Sequence, residues 1–307
     1  MFNEISAGVL RVPVVFVNAY LVDVTPGVPD DGWVLVDTGL PGLGSFGIGR
    51  MAARRYGADS RPRAIVLTHG HFDHAGSAAA LAARWDAPVY VHRLEFPYVT
   101  GRSDYPPQDP TVGGALAMMS RAFPHGSLDL GDRVHALPDD GTVPFLTGWQ
   151  AIHTPGHTAG HVSLWRPADA VLLTGDALAT MNQESWTTTV TMPRELRWPP
   201  APMTTDWAAA RDSVRALARL RPHIIAAGHG LPMSGPHLAD ALNSFADTFH
   251  QPAHGRYVDR AARADERGVI EVPPPAPDPL GVALRTAAGA VAVGAVMLAM
   301  TRTRHRA

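Results

Sequence analysis

Four side chains able to bind a metal fall within six residues of one another in Thr68-His69-Gly70-His71-Phe72-Asp73-His74. They follow the apolar run 64–67, which reads as a short buried strand. In extended backbone, positions two apart point to the same side, so His69 and His71 can grip one ion. Asp73 and His74 stand where the next helix starts and can aim at a second. Such a cluster constrains the fold because it is incomplete: further ligands must converge on it from other strand ends. Three later turns offer them. His157 follows Thr154-Pro155-Gly156, Asp176 ends Leu173-Thr174-Gly175-Asp176, and His229 closes Ala227-Gly228-His229. Each comes directly after a glycine, which permits a sharp turn and lets the backbone approach an ion. The set is five His and two Asp, enough for two ions sharing a carboxylate.

Composition narrows the chemistry further. The 307 residues include no Cys, and all 26 basic residues are Arg. Without Cys there is no disulfide framework, thiol nucleophile, iron–sulfur cluster or thiolate zinc site. Without Lys there is no Schiff base and no P-loop lysine. A formal net charge of −2 provides no basic surface for tracking phosphates, so a nucleic-acid partner is not expected and a small-molecule substrate is.

The pattern along the chain is α/β. Runs 8–24 and 32–37 read as a strand meander, and helices around 45–56 and 75–85 alternate with strands 64–67 and 89–92. A second series places strands at 133–137, 149–153, 162–165 and 170–173, then a helix at 206–220 capped by Thr205 and a buried run at 223–227. The two series predict similar halves with their sheets face to face. Stretches 97–130 and 179–203, rich in Pro, aromatics and Met, interrupt the rhythm. Loops of that length shape pocket mouths, which makes Tyr105 and Trp186 candidate substrate contacts. The expected division is a catalytic domain at 1–250, a Pro-rich linker at 251–279 and an apolar C-terminal segment at 280–307.

With Val36-Asp37-Thr38-Gly39 near the start, the motifs stand in order over roughly residues 8 to 235. In that order they resemble the metallo-β-lactamase superfamily, in particular its glyoxalase II-like and lactonase-like hydrolases. The resemblance implies an αββα sandwich. It implies a first zinc site of His69, His71 and His157, and a second of Asp73, His74 and His229. Asp176 would bridge the two, and Asp37 would be the buried acid that orients the metal-binding loop. The implied activity is that of a binuclear zinc hydrolase, whose metal-bridging hydroxide attacks a small ester, thioester or lactone. Asp73 and Asp176 are then the catalytic carboxylates, with Asp73 accepting the proton released on attack. Two Zn²⁺ against two carboxylates and a hydroxide leave one net positive charge, which favours an oxyanion. Lack of Cys leaves open only the all-His/Asp type of β-lactam hydrolase, and the absence of Arg from 232–251 weighs against glutathione recognition. The alternative from a different class is an oxidoreductase. With one iron on His69, His157 and Asp176, the same fold resembles the persulfide dioxygenases. His153 and His161, which flank the third motif, are candidate hydrogen-bond partners of the ligands.

The N-terminus has no basic region ahead of its apolar stretch, so the expected location is the cytoplasm. Residues 286–301 form an uncharged run of 16, about 24 Å as a helix and too short to cross a membrane. Counted from Leu280, 22 residues reach about 33 Å if Arg285 snorkels toward the headgroups, which makes this segment a candidate membrane tether.

Overall fold

The computed structural model describes residues 3–283. Four strands open the chain: β1 (Glu4–Ser6), β2 (Val9–Val14), β3 (Val17–Thr25) and β4 (Val28–Val36). They form the antiparallel meander that the Val-rich runs predict. Helix α1 (Leu43–Tyr56) leads to β5 (Ala64–Val66), and the short α2 (Phe72–Ala75) and α3 (Ala78–Trp85) lead to β6 (Val89–Val91). Strand β7 (Val134–Ala136) then pairs parallel with β6 and completes a seven-stranded sheet in sequence order. This corrects one expectation: residues 133–137 finish the first half and do not open the second.

The intervening segment carries α4 (Phe96–Val99) and α5 (Gly114–Ser120). The second sheet contains β8 (Gln150–His153), β9 (Val162–Arg166), β10 (Val171–Gly175), β11 (Ile224–Ala227) and β12 (Met233–Ser234), in the order β12-β11-β10-β9-β8. Helix α6 (Trp186–Thr191) and α7 (Trp207–Arg219) precede β11, and α8 (Leu238–Asp247) follows β12. The cap of α7 is Asp206, whose side chain accepts from the Ala209 N–H at 2.9 Å, and not Thr205. Such a cap contributes about 1 kcal/mol.

Layering follows from residue alternation. On β4, Val34 and Val36 face the second sheet, where they meet Leu164, Val171, Leu173 and Ala226. Trp33 and Leu35 face the other way, into a layer formed with Ile48 of α1 and Leu81 and Trp85 of α3. Both faces of the sheet are therefore covered, and the strand segments at its centre, Trp33 to Val36 and Ala64 to Val66, are continuous apolar runs. On the second sheet, Leu172 and Ile225 turn outward against Leu217 and Val214 of α7, with Leu242 of α8 behind them. The result is the expected αββα sandwich.

The compact unit extends through Pro274. The expected boundary at 250 is thus too early, and most of the expected linker is part of the body. Tyr257 is buried, donates its hydroxyl to the Pro107 carbonyl at 2.6 Å, and packs in a cluster with Ala201 and Trp207. Strands β13 (Arg263–Asp265) and β14 (Gly268–Glu271) then form a hairpin. The charged residues of this segment form surface pairs, such as Arg267 with Asp265 at 3.0 Å, while Val258, Ala262 and Val272 pack inward beside Tyr257. Residues 275–283 belong to a separate unit, in which the Gly281 N–H donates to Asp278 at 2.9 Å. The expected apolar segment and candidate tether at 280–307 lies outside the described residues from 284 onward. Among the described residues no helix is long and apolar enough to cross a membrane.

Candidate metal centre

All seven sequence-predicted ligands converge at one end of the sandwich, where β5, β10 and β11 and the turn after β8 finish. They are buried, with His71 the most exposed at 7%. His69, His71 and His157 offer ligand atoms that lie within 4.8 Å of one another, and so do Asp73, His74 and His229. A third such group joins His69 and His74 to Asp176. The Asp176 carboxylate stands between the two pockets, 3.5 Å from His157 Nε2 and 3.3 Å from His74 Nε2. It also lies 3.2 Å from His229 Nε2, which in turn is 3.5 Å from Asp73.

The outer nitrogens of several rings are held by groups behind them. His74 Nδ1 donates to Asp37 Oδ2 at 2.8 Å, and His229 Nδ1 donates to the Phe16 carbonyl at 2.9 Å. His69 Nδ1 meets the Thr68 hydroxyl at 3.1 Å. These bonds turn the Nε2 atoms inward, as ligating imidazoles require. Asp37 does this from a strained position, with φ of 58°, a region that Asp tolerates better than most residues. Its other oxygen accepts the Thr68 N–H at 2.8 Å, so one carboxylate holds both ends of the metal-binding loop.

Whether a metal suits this cluster is tested by its unpaired atoms. His69 Nε2, Asp73 Oδ1, His74 Nε2, both Asp176 oxygens and His229 Nε2 are buried without a hydrogen-bond partner among the described residues. Burying so many polar atoms unpaired in one place is costly, and cations bound to them remove the cost. The protonation states agree. Burial, with neighbouring imidazoles, holds His69 and His157 well below the ordinary histidine value, and burial holds His71 at about 4. All three are neutral and ready to ligate. Burial also opposes charge on His74 and His229, but the carboxylates around them win. Asp176, Asp37 and Asp73 raise His74 well above its usual range, and Asp176 and Asp73 raise His229 to about 10. Protons there supply the positive charge that a second cation would bring.

The other sequence expectations divide. His161 is buried and its Nε2 accepts the Asp176 N–H at 2.8 Å, so it fixes the bridging residue from behind. His153 is exposed, stacks on His92 at 4.3 Å and bonds the Ala159 carbonyl, away from the ligands. Beside His157 lies a cavity of about 340 Å³, whose lining includes Tyr98, Tyr105, Thr158, Ala209 and Ile270. Tyr105 also has a second role: its hydroxyl accepts the Gly70 N–H at 2.9 Å and donates to Glu95. Trp186 stands 56% exposed on α6 and does not line that cavity.

Sequence reasoning missed three supports. Asn18 donates to the Ala227 and Gly230 carbonyls, and Tyr20 donates to the Ala227 carbonyl, so together they brace the His229 turn from β3. The third, Glu95, is completely buried between the loops that carry His69, His71 and His157. Its signal was a lone acid in the apolar stretch Leu94-Glu95-Phe96-Pro97-Tyr98.

Comparison with known proteins agrees with this geometry. Over 245 residues the chain is 42% identical to the probable metallo-hydrolase YflN of Bacillus subtilis (strain 168), an alignment that covers 80% of this chain and 92% of that protein. It is 28% identical over 176 residues to the N-acyl homoserine lactonase of Bacillus thuringiensis, covering 49% of this chain and 61% of that protein. A solved B3 metallo-β-lactamase with an active-site glutamic acid shares the fold at a TM-score of 0.53 and 18% identity, covering 80% of this chain and 85% of that one. Residues 12–229 match the family model of the metallo-beta-lactamase superfamily, a span that includes all seven candidate ligands, and to that superfamily the chain belongs.

Proposed function

We propose that the protein is a binuclear zinc hydrolase acting on a small ester, thioester or lactone. The observation that carries this reading is the set of seven buried His and Asp side chains, in which Asp176 stands between two groups of three. His69, His71 and His157 would hold one ion, and Asp73, His74 and His229 the other. Zinc at such a centre lowers the pKa of water to about 7 and polarises a carbonyl.

The chain's own residues supply the rest. Asp73 is held below the usual carboxylate range because His74 and His229 outweigh its burial, so it is ionised at neutral pH. Its unpaired Oδ1 is the atom that takes the proton from attacking water. His161 and Asp37 keep Asp176 and His74 in place while charge develops. The cavity beside His157 has apolar walls from Pro106, Ala209, Ala264 and Ile270, suited to an acyl or ring-bearing substrate of modest size. Among the described residues its one cation is Arg263, a poor match for a polyanionic substrate.

The test is a substrate screen on purified protein loaded separately with zinc and with iron(II), using aryl esters, thioesters, lactones and β-lactams. Zinc-dependent release of a carboxylic acid, lost in Asp73→Ala, is the expected result. Oxygen consumption with persulfides by the iron-loaded form, with no hydrolysis by the zinc form, would replace this reading by the oxidative one.

A further inference from the structure

We infer that Glu95 is a positioning residue for the imidazole pocket, tying together the two loops that carry His69, His71 and His157. The inference rests on the metal-centre reading above and adds a determinant of one pocket and not the other. Glu95 follows β6 and is completely buried. Its Oε2 accepts the Gly70 N–H at 3.0 Å and the Tyr105 hydroxyl. Its Oε1 accepts the Gly160 N–H at 2.8 Å and the Thr158 hydroxyl at 2.7 Å. Gly70 lies between His69 and His71, and Thr158 directly follows His157. One carboxylate therefore receives two donors from each side and joins a loop of the first half to a loop of the second.

The arrangement suits this carboxylate closely. An ionised carboxylate offers about four acceptor positions and no donor, and four donors are present. An amide of the same shape would turn an NH₂ group toward one pair, of which only the hydroxyl can turn to accept from it, so a backbone N–H would lose its carboxylate acceptor and face another donor. The approach also needs glycine on both loops. A Cβ at Gly160 would stand 2.7 Å from the Glu95 Cγ, and one at Gly70 would stand 2.6 Å from the Tyr105 hydroxyl. Among the described residues no hydrogen bond links Glu95 to Asp73, His74 or His229: His74 is braced by Asp37 and His229 by the Phe16 carbonyl.

The experiment is a zinc titration of metal-free wild type, Glu95→Gln, Thr158→Val and Tyr105→Phe against a chromophoric chelator, with cobalt(II) absorption spectra and melting curves of the metal-free proteins. The step belonging to the imidazole pocket is identified by its loss in His71→Ala. In Glu95→Gln that step weakens at least tenfold and its cobalt bands change, while the other step stays within threefold and the metal-free melting point within a few degrees. Thr158→Val and Tyr105→Phe each weaken the same step by about threefold, and they carry the test if Glu95→Gln does not fold. Wild-type affinity at that step in all three variants overturns the inference, and so does an equal fall of both steps accompanied by a lowered metal-free melting point. A wild-type chain that binds no zinc overturns the metal-centre reading instead.

Discussion

The two halves of the metal centre share Asp176 but differ in charge. The pocket of His69, His71 and His157 is built from three imidazoles that burial keeps neutral. The pocket of Asp73, His74 and His229 is built around carboxylates, which hold protons on its two imidazoles. A metal can enter the first without displacing a proton and must displace protons to enter the second. Equal numbers of ligands therefore do not make equivalent sites: the first is set by loop geometry, the second by electrostatics.

The largest expected effect removes what the two pockets share. Asp176→Ala takes a carboxylate from both, so metal content falls toward zero and activity drops by roughly 10³-fold or more, a loss of about 4 kcal/mol or more in transition-state stabilisation. Elemental analysis and initial rates check this, and retention of both metals would break the comparison at its centre.

Next comes Asp37→Asn, which acts first on the carboxylate pocket, since Asp37 holds His74 directly and reaches the imidazole pocket only through Thr68, which meets His69. Metal affinity at the carboxylate pocket should fall about 10–100-fold, with the imidazole pocket weakened less. Equal weakening of both, read from a two-step zinc titration, would mean that the pockets are not independent.

Acidity should separate the pockets more gradually. His229 titrates at about 10 in the metal-free protein, so near pH 7 it is protonated and metal binding releases that proton. Affinity at the carboxylate pocket should then fall about tenfold for each unit that pH drops, per proton displaced. His71, lowered to about 4, does not compete with metal until the pH approaches that value. Dialysis between pH 8 and pH 5 is thus expected to leave one metal of two, and loss of both together would contradict the assignment. The smallest effect is that of Trp186→Ala. The side chain is 56% exposed, and its removal should change stability by less than about 0.5 kcal/mol and leave metal content intact.

What could be read from the sequence follows the same division. The ligands were legible because their side chains are chemically rare and their strand-end positions repeat, and the sandwich was legible because apolar runs flanked by glycine turns mark buried strands. The residues that brace the ligands were legible only in part. Asp37 stands in a recognisable Asp-Thr-Gly turn, but Glu95 acts across 65 residues on Gly160, and local spacing carries no record of such a contact. Tyr105 was seen as an aromatic near the pocket; that its hydroxyl supports Gly70 depends on where the chain folds back. The same limit hid the docking of Tyr257, because the charged residues around it dominate the local composition while a single ring provides the burial.

The central claim is that two pockets, distinct in charge, are joined by one carboxylate. Metal counting on wild type and Asp73→Asn, purified side by side and loaded with zinc, tests it most directly. The account predicts two ions per chain in the wild type and one in the variant, with the remaining ion held by His69, His71 and His157. A single ion in both proteins would contradict it.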